Sequence, residues 1–186
     1  MLRVLILTDV HKYKSVYTKY KTLNVQFKVS VEKKDITKLI EDFKPNVFVS
    51  VGAKWSDFSV LNELPIQLRK KWIHYTNIVD INYKDIKNTY MNWAMNSHNI
   101  KVSFVTTTNN NFKTIDLLYK SIKSQTLTDW EWVIFDNSPD DKFPKLLNRL
   151  RKTETRIRFF TSGLNDIYGG SKIKNACMLS RGDVII

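Results

Sequence analysis

KVSFVTTTNNNFKTIDLLYKSIKSQTLTDWEWVIFD (residues 101–136) holds two strand-like runs separated by one helical pattern. KVSFVTTT (101–108) opens apolar and closes on hydroxyl side chains, which reads as a strand running into a loop. Ile115, Leu118 and Ile122 then share one helical face, and WEWVIFD (130–136) is an apolar run of strand length. A strand, a helix and a strand in so short a span predict a β-α-β unit, and with it a parallel sheet covered by helices.

The same alternation extends in both directions. Downstream, Phe143, Leu146, Leu147 and Leu150 mark a helix with Asp140 or Asp141 as its cap, and RIRFF (156–160) a short strand. Ile173, Ala176, Cys177 and Ser180 mark another helix, capped by Ser171 and ended by Gly182, and DVII (183–186) opens a further strand. Upstream, RVLILTDV (3–10) is a buried-strand run, and Tyr13, Val16, Tyr17 and Tyr20 recur on one helical face. LNVQFKVSV (23–31) alternates with period two, as a strand with one buried face does. Ile36, Leu39, Ile40 and Phe43 form a helical stripe behind Asp35 as cap, and Pro45 stops it. NVFVSVG (46–52) is another strand, Ser56 or Asp57 opens a further helix, and KKWIHY (70–75) is a strand or a helix end. DINYKDIKNTYMNWAMNSHN (80–99) is rich in asparagine and has no clean period. The expected organisation is α/β, two β-α-β units in tandem: a domain over 1–80, a linker over 81–99 and a second domain over 100–186.

Composition narrows the function classes. A chain of 186 residues, 42% hydrophobic and 26% charged, has the makeup of one or two soluble globular domains. MLRVLILTDV is interrupted by Arg3 and too brief for a signal segment, and no stretch is long and apolar enough to span a membrane. The single cysteine, Cys177, excludes an internal disulfide framework and fits a reducing, cytoplasmic compartment. The net charge of +12 comes mostly from lysines scattered through every segment. It suits a nucleic acid, an anionic membrane or a phosphorylated substrate, and equally a lysine-rich habit of composition. Neither GxGxxG nor GxxxxGK[ST] occurs, and His11, His74 and His98 with Cys177 lack zinc-ligand spacing. Cys177 lies on an apolar helix face, as a core residue would, and the tryptophans of WEW (130–132) read as packing. Arg181-Gly182-Asp183 overlaps a helix end and a strand start, so it is not read as an adhesion loop.

Chemistry in an open α/β sheet gathers outside the carboxyl ends of the strands. In the second half those ends are TTTNNN (106–111), DNSPDD (136–141) and SGLNDIYGGSK (162–172), all polar and all on one edge. Thr and Asn at a strand-to-helix turn suit a nucleobase or a phosphate, and they are also ordinary turn and cap residues. Asp136 suits a ribose, a base or a metal, or it caps the next helix. Gly169, Gly170 and Lys172 at a helix start favour a diphosphate through close backbone approach and the helix dipole.

Residues 100–186 resemble the opening of inverting family 2 glycosyltransferases of the GT-A fold. The loop Thr107-Thr108-Asn109-Asn110-Asn111 stands where that family has a P-T-Y-N-R-like loop, so Thr107 and Asn109 replace its proline and tyrosine. Gln125-Thr126 through Asp129 and Glu131 is similar to the family's Q-T-x-x-D-x-E turn, and Asp136-Asn137-Ser138 to its D-D-G-S or D-N-S strand end. GGSKIKNACMLSRGDVII resembles the helix and turn that lead into the family's D-x-D metal motif. The first half is similar to the Rossmann-like accessory region that some such enzymes carry in front. The resemblance implies an incomplete GT-A-like parallel sheet and transfer of a sugar from a nucleotide-diphospho-sugar to a glycan, lipid or protein acceptor. It implies that Thr108, Asn109 and Asn110 line the nucleotide pocket, that Asp136 binds base or ribose, and that Lys172 approaches the diphosphate. A divalent cation, Mn²⁺ or Mg²⁺, would neutralise the leaving diphosphate, and a carboxylate would act as general base. No acidic residue follows Asp183, so the expectation is a chain cut before the D-x-D motif and inactive as it stands. The alternative is a basic α/β module that binds nucleic acid or an acidic partner without chemistry; by the resemblance, nucleic acid is not the expected partner.

Overall fold

The computed structural model describes residues 1–8, 25–30, 36–52, 62, 64–94, 100–138, 142–161 and 169–186. The chain divides into two compact units, Met1–His98 and Asn99–Ile186. Each carries its own four-stranded, all-parallel sheet, so the fold is the α/β class expected from the alternating pattern.

In the first unit the strands are β1 (Leu2–Thr8), β2 (Val25–Ser30), β3 (Val47–Val51) and β4 (Trp72–Tyr75), in the order β2-β1-β3-β4. Central strands of a parallel sheet are covered on both faces and need apolar side chains in both parities. Val4, Leu5 and Ile6 of β1 and Val47, Phe48 and Val49 of β3 are accordingly all fully buried. The edge strand β2 alternates half-buried Val25 and Phe27 with exposed Gln26 and Lys28, the period-two pattern legible in its sequence. Two helices, α1 (Ile36–Phe43) and α2 (Ile66–Lys70), and a 3₁₀ turn (Ile78–Asp80) precede α3 (Tyr83–Ala94). Ser50 sits beside His74 in register, accepts from Trp72 Nε1 at 2.7 Å and lies 2.8 Å from His74 Nδ1. His74 is thus a buried core histidine.

Helix α3 departs from the linker expected over 81–99. Ile81 and Ile86 are buried in the first core, and Tyr83 and Tyr90 pack against it. Tyr83, Ile86 and Tyr90 have helical spacing. The exposed asparagine Asn88 dilutes the pattern, which is why composition hid it. The expected Tyr13–Tyr20 helical face, the Asp35 cap, the helix start at Ser56 or Asp57 and the Asp140 or Asp141 cap lie outside the described residues.

The second unit is built from β5 (Val102–Thr108), β6 (Trp130–Asp136), β7 (Ile157–Thr161) and β8 (Val184–Ile185), in the order β7-β6-β5-β8. Its helices are α4 (Phe112–Lys123), α5 (Lys142–Thr153) and α6 (Gly169–Leu179). Helix α6 begins at Gly169, so Ser171 stands within its first turn instead of capping it, and the helix stops at Leu179, short of Gly182.

The two parities of the strands have different tasks. Trp130, Trp132 and Ile134 of β6 with Ile157 and Phe159 of β7 form one core with Ile115 and Ile122 of α4 and Phe143 and Leu147 of α5. Helix α6 packs against β5 and β6, with Ala176 and Leu179 buried. The other parity includes Ser103, Glu131 and Arg158, all buried. Ser103 Oγ donates to Glu131 Oε1 at 2.7 Å, and Arg158 Nη1 donates to Glu131 Oε2 at 3.2 Å and to the Leu179 carbonyl at 2.6 Å. The backbone N–H of Arg181 donates to Glu131 Oε1, and that of Gly182 to Ser103 Oγ at 2.8 Å. One carboxylate therefore ties β5, β6, β7 and the turn into β8. Burial pushes the pKa of Arg158 down, and that of Arg181 further, where Arg158 adds its repulsion. A side chain at Gly182 would meet Ser103 N at 2.7 Å and Val102 C at 2.8 Å, both backbone atoms, so only glycine lets this turn lie against β5.

Candidate functional site

Register brings the carboxyl ends of three strands into line. Thr108 pairs with Asp136, and Asp136 with Thr161, so a threonine, an aspartate and a threonine stand in a row across the sheet edge. The chain runs from β5 outward through β6 and β7, then returns to β8 on the other side of β5. The order reverses at β5, and in open parallel sheets that reversal leaves a crevice at the carboxyl ends.

Two loops close on each other there. Asn137 N donates to the Thr108 carbonyl at 3.1 Å, carrying the β5–β6 pairing one residue past the strands. Ser138 N and Oγ both donate to Asp136 Oδ1, at 3.2 and 2.6 Å, and Ser138 Oγ accepts from Asn110 N at 2.8 Å. Asp136 thus holds its own loop through Ser138, and Ser138 holds the β5 loop. Asn110 turns back with φ 54°, a left-handed conformation that asparagine tolerates better than most residues. Asn111 occupies the N-cap of α4 and makes no side-chain cap hydrogen bond, so the capping alternative for this loop does not describe it.

Burial divides these residues into a floor and a rim. Thr108, Asp136, Asn137 and Ser138 are buried, whereas Asn109, Asn110 and Asn111 are exposed. Thr108 Oγ1 and Asn137 Oδ1 have no hydrogen-bond partner among the described residues. A buried polar atom in that state costs about 1–3 kcal/mol, and folded proteins seldom retain one without a use. Asn137 Oδ1 can only accept; Thr108 Oγ1 can accept or donate.

Of the residues expected from sequence, Thr108, Asn109, Asn110 and Asp136 come together in this pair of loops. Lys172 stands half-buried in the first turn of α6, and none of the hydrogen bonds among the described residues joins it to the four. Sequence reading passed over Asn137 and Ser138, although both lie in the D-N-S strand end. The signal was the alternation itself: a buried strand that continues in polar residues places them where water is scarce. Cys177 is half-buried with a free thiol, and Trp130 and Trp132 belong to the core. Arg181 is largely buried beside Glu131, which leaves Arg181-Gly182-Asp183 no adhesive face.

A divalent cation needs several oxygen ligands converging on one point. Among the described residues no group of three or more His, Cys, Asp or Glu side chains is placed to hold a metal ion. The one acid on the floor, Asp136, already accepts two hydrogen bonds on Oδ1. These residues do not fit the cation that the resemblance implies, and no chemical step is routed through one.

The second unit is an open, all-parallel α/β sheet that gathers buried polar residues at its carboxyl edge. Residues 103–186 match the family model described as Glycosyl transferase family 2, and this part of the chain is similar to that family. The match supports a glycosyltransferase-type function for the second unit. No curated protein matches the chain. Among the described residues no helix is long and apolar enough to cross a membrane.

Proposed function

We propose that the chain takes part in transferring a sugar from a nucleotide-diphospho-sugar to an acceptor hydroxyl, and that the β5–β6 edge is where it holds the nucleotide. One observation carries the reading: two buried polar oxygens, Thr108 Oγ1 and Asn137 Oδ1, lack partners among the described residues at the carboxyl edge of the sheet, within the segment that the family model matches. A nucleoside supplies what they lack. Base N–H groups donate to Asn137 Oδ1, and ribose hydroxyls exchange hydrogen bonds with Thr108. Asp136, fixed by Ser138, orients the floor, and the exposed amides of Asn109 and Asn110 close over the ligand. Lys172 and the first turn of α6 attract the diphosphate through charge and the helix dipole. These residues bind and orient the donor and keep water from its base.

The test is calorimetric titration of the whole chain with uridine diphosphate, guanosine diphosphate and inorganic phosphate, each with and without Mn²⁺. One nucleoside diphosphate should bind more tightly than phosphate, and Asn137→Ala should weaken it about tenfold or more, with circular dichroism unchanged. Affinity that survives both Asn137→Ala and Asp136→Ala would sink the assignment.

A further inference from the structure

We propose that the outer face of α4 and α5 docks the second unit on an anionic lipid bilayer, an inference that goes beyond the glycosyl-transfer reading and stands independently of it. On α4, Ile115 and Ile122 face the core, which turns Lys113, Leu117 and Lys120 outward at i, i+4 and i+7. On α5, Phe143 and Leu147 face the same core, which turns Lys145, Arg149 and Lys152 outward with the same spacing. All five cations are exposed, and Leu117 stands 67% exposed between two of them. Helix α5 contains no acidic residue, and Asp116 is the one acid on α4.

Helix stability accounts for only part of these stripes: Lys120 and Lys152 stand in last turns, where the macrodipole favours cations. Like charges at i, i+3 and i+4 weaken a helix, and cations in a first turn oppose the macrodipole. Lys113 and Lys145 lie in such first turns. A pair of cationic stripes with an exposed leucine complements a bilayer surface. Lysines meet anionic headgroups while the leucine enters the acyl boundary. Nucleic acid is the poorer match, since its binding surfaces favour arginine forks and stacking aromatics, and these stripes hold one arginine and no aromatic ring. The lysines look scattered in the sequence because each stripe takes only every third or fourth residue.

Co-sedimentation of the whole chain with vesicles tests this, using pure phosphatidylcholine against vesicles with about a third phosphatidylglycerol. The chain should bind the anionic vesicles alone, less as salt screens the contact. Lys120→Glu with Arg149→Glu should lower partitioning about tenfold or more, and Leu117→Ser about threefold. Lys84→Glu with Lys87→Glu, the same change of net charge on exposed positions of α3, should alter it by less than about twofold. All these positions are exposed, and circular dichroism checks each fold. The proposal is overturned if both charge pairs weaken binding equally, if neutral vesicles bind as well, or if the chain takes up mixed-sequence RNA and ignores anionic vesicles.

Discussion

Thr108 shows at the scale of one residue how stability and binding part company. Its Oγ1 is buried with no partner among the described residues, and valine has the same shape without the hydroxyl. Replacing an unsatisfied buried hydroxyl by a methyl removes a desolvation penalty of about 1–3 kcal/mol, and β-branched valine suits a strand. Thr108→Val should therefore raise the stability of the free protein by about 1 kcal/mol in urea unfolding, while weakening nucleoside diphosphate binding. A variant that is less stable, or that binds unchanged, would show that the hydroxyl is satisfied by other means. Nothing in the sequence distinguishes Thr108 from Thr106 and Thr107 as a residue type. Its position is decided by the register that sets it against Asp136, a property of the paired strands.

At the scale of elements, the sheet of the second unit is fastened near its amino edge by Glu131 and adjusted nearby by Glu154. Glu131 receives Ser103, Arg158 and the Arg181 N–H, so Glu131→Gln leaves the buried guanidinium of Arg158 and the largely buried one of Arg181 facing an amide. Breaking a buried ion pair from one side costs about 3–5 kcal/mol, and denaturant unfolding of Glu131→Gln should show a loss of that size. Glu154 is a smaller case with a pH signature. Arg156 donates to both of its oxygens, at 2.8 and 2.7 Å, and this hydrogen bonding, ahead of burial acting the other way, holds the Glu154 pKa below the ordinary carboxylate value. A carboxylate with a lowered folded pKa stabilises above its unfolded value, near 4.3, and loses that contribution as pH falls through the folded one. Glu154→Gln should be about 0.5–1 kcal/mol less stable at pH 7, with the gap closing below about pH 4. A gap that widened on acidification would reverse the sign argued here. Among the described residues periodicity revealed the strands and most of the helices, but not α2. It failed at α3, where Ile86 and the flanking tyrosines were diluted by polar neighbours, and it could not reveal Glu131, because a buried charge looks the same in sequence as an exposed one.

Across the whole molecule, the alternation of strands and helices foretold parallel sheets but not their order. Both units read β-α-β-α-β, yet one forms β2-β1-β3-β4 and the other β7-β6-β5-β8. Which side of the sheet a crossover takes depends on packing between distant segments, and no local period encodes it. The order matters because it sets where each sheet reverses, and in the second unit that reversal falls at β5, whose loop carries Thr108 to Asn110. Ligand linkage reads the site through the stability of the whole chain. A ligand at about one hundred times its Kd stabilises the state that binds it by about 2.7 kcal/mol. Urea unfolding with saturating uridine or guanosine diphosphate, whichever binds, should show a gain of that order in the natural chain. Thr108→Val combined with Asn137→Ala should lose most of it at the same concentration. The two proteins should then change rank: the valine substitution offsets part of the cost of the alanine in the free state, and the natural chain pulls ahead once nucleotide is present. An equal gain in both would place the nucleotide away from the β5–β6 edge, because linkage depends only on the difference in affinity between folded and unfolded chains.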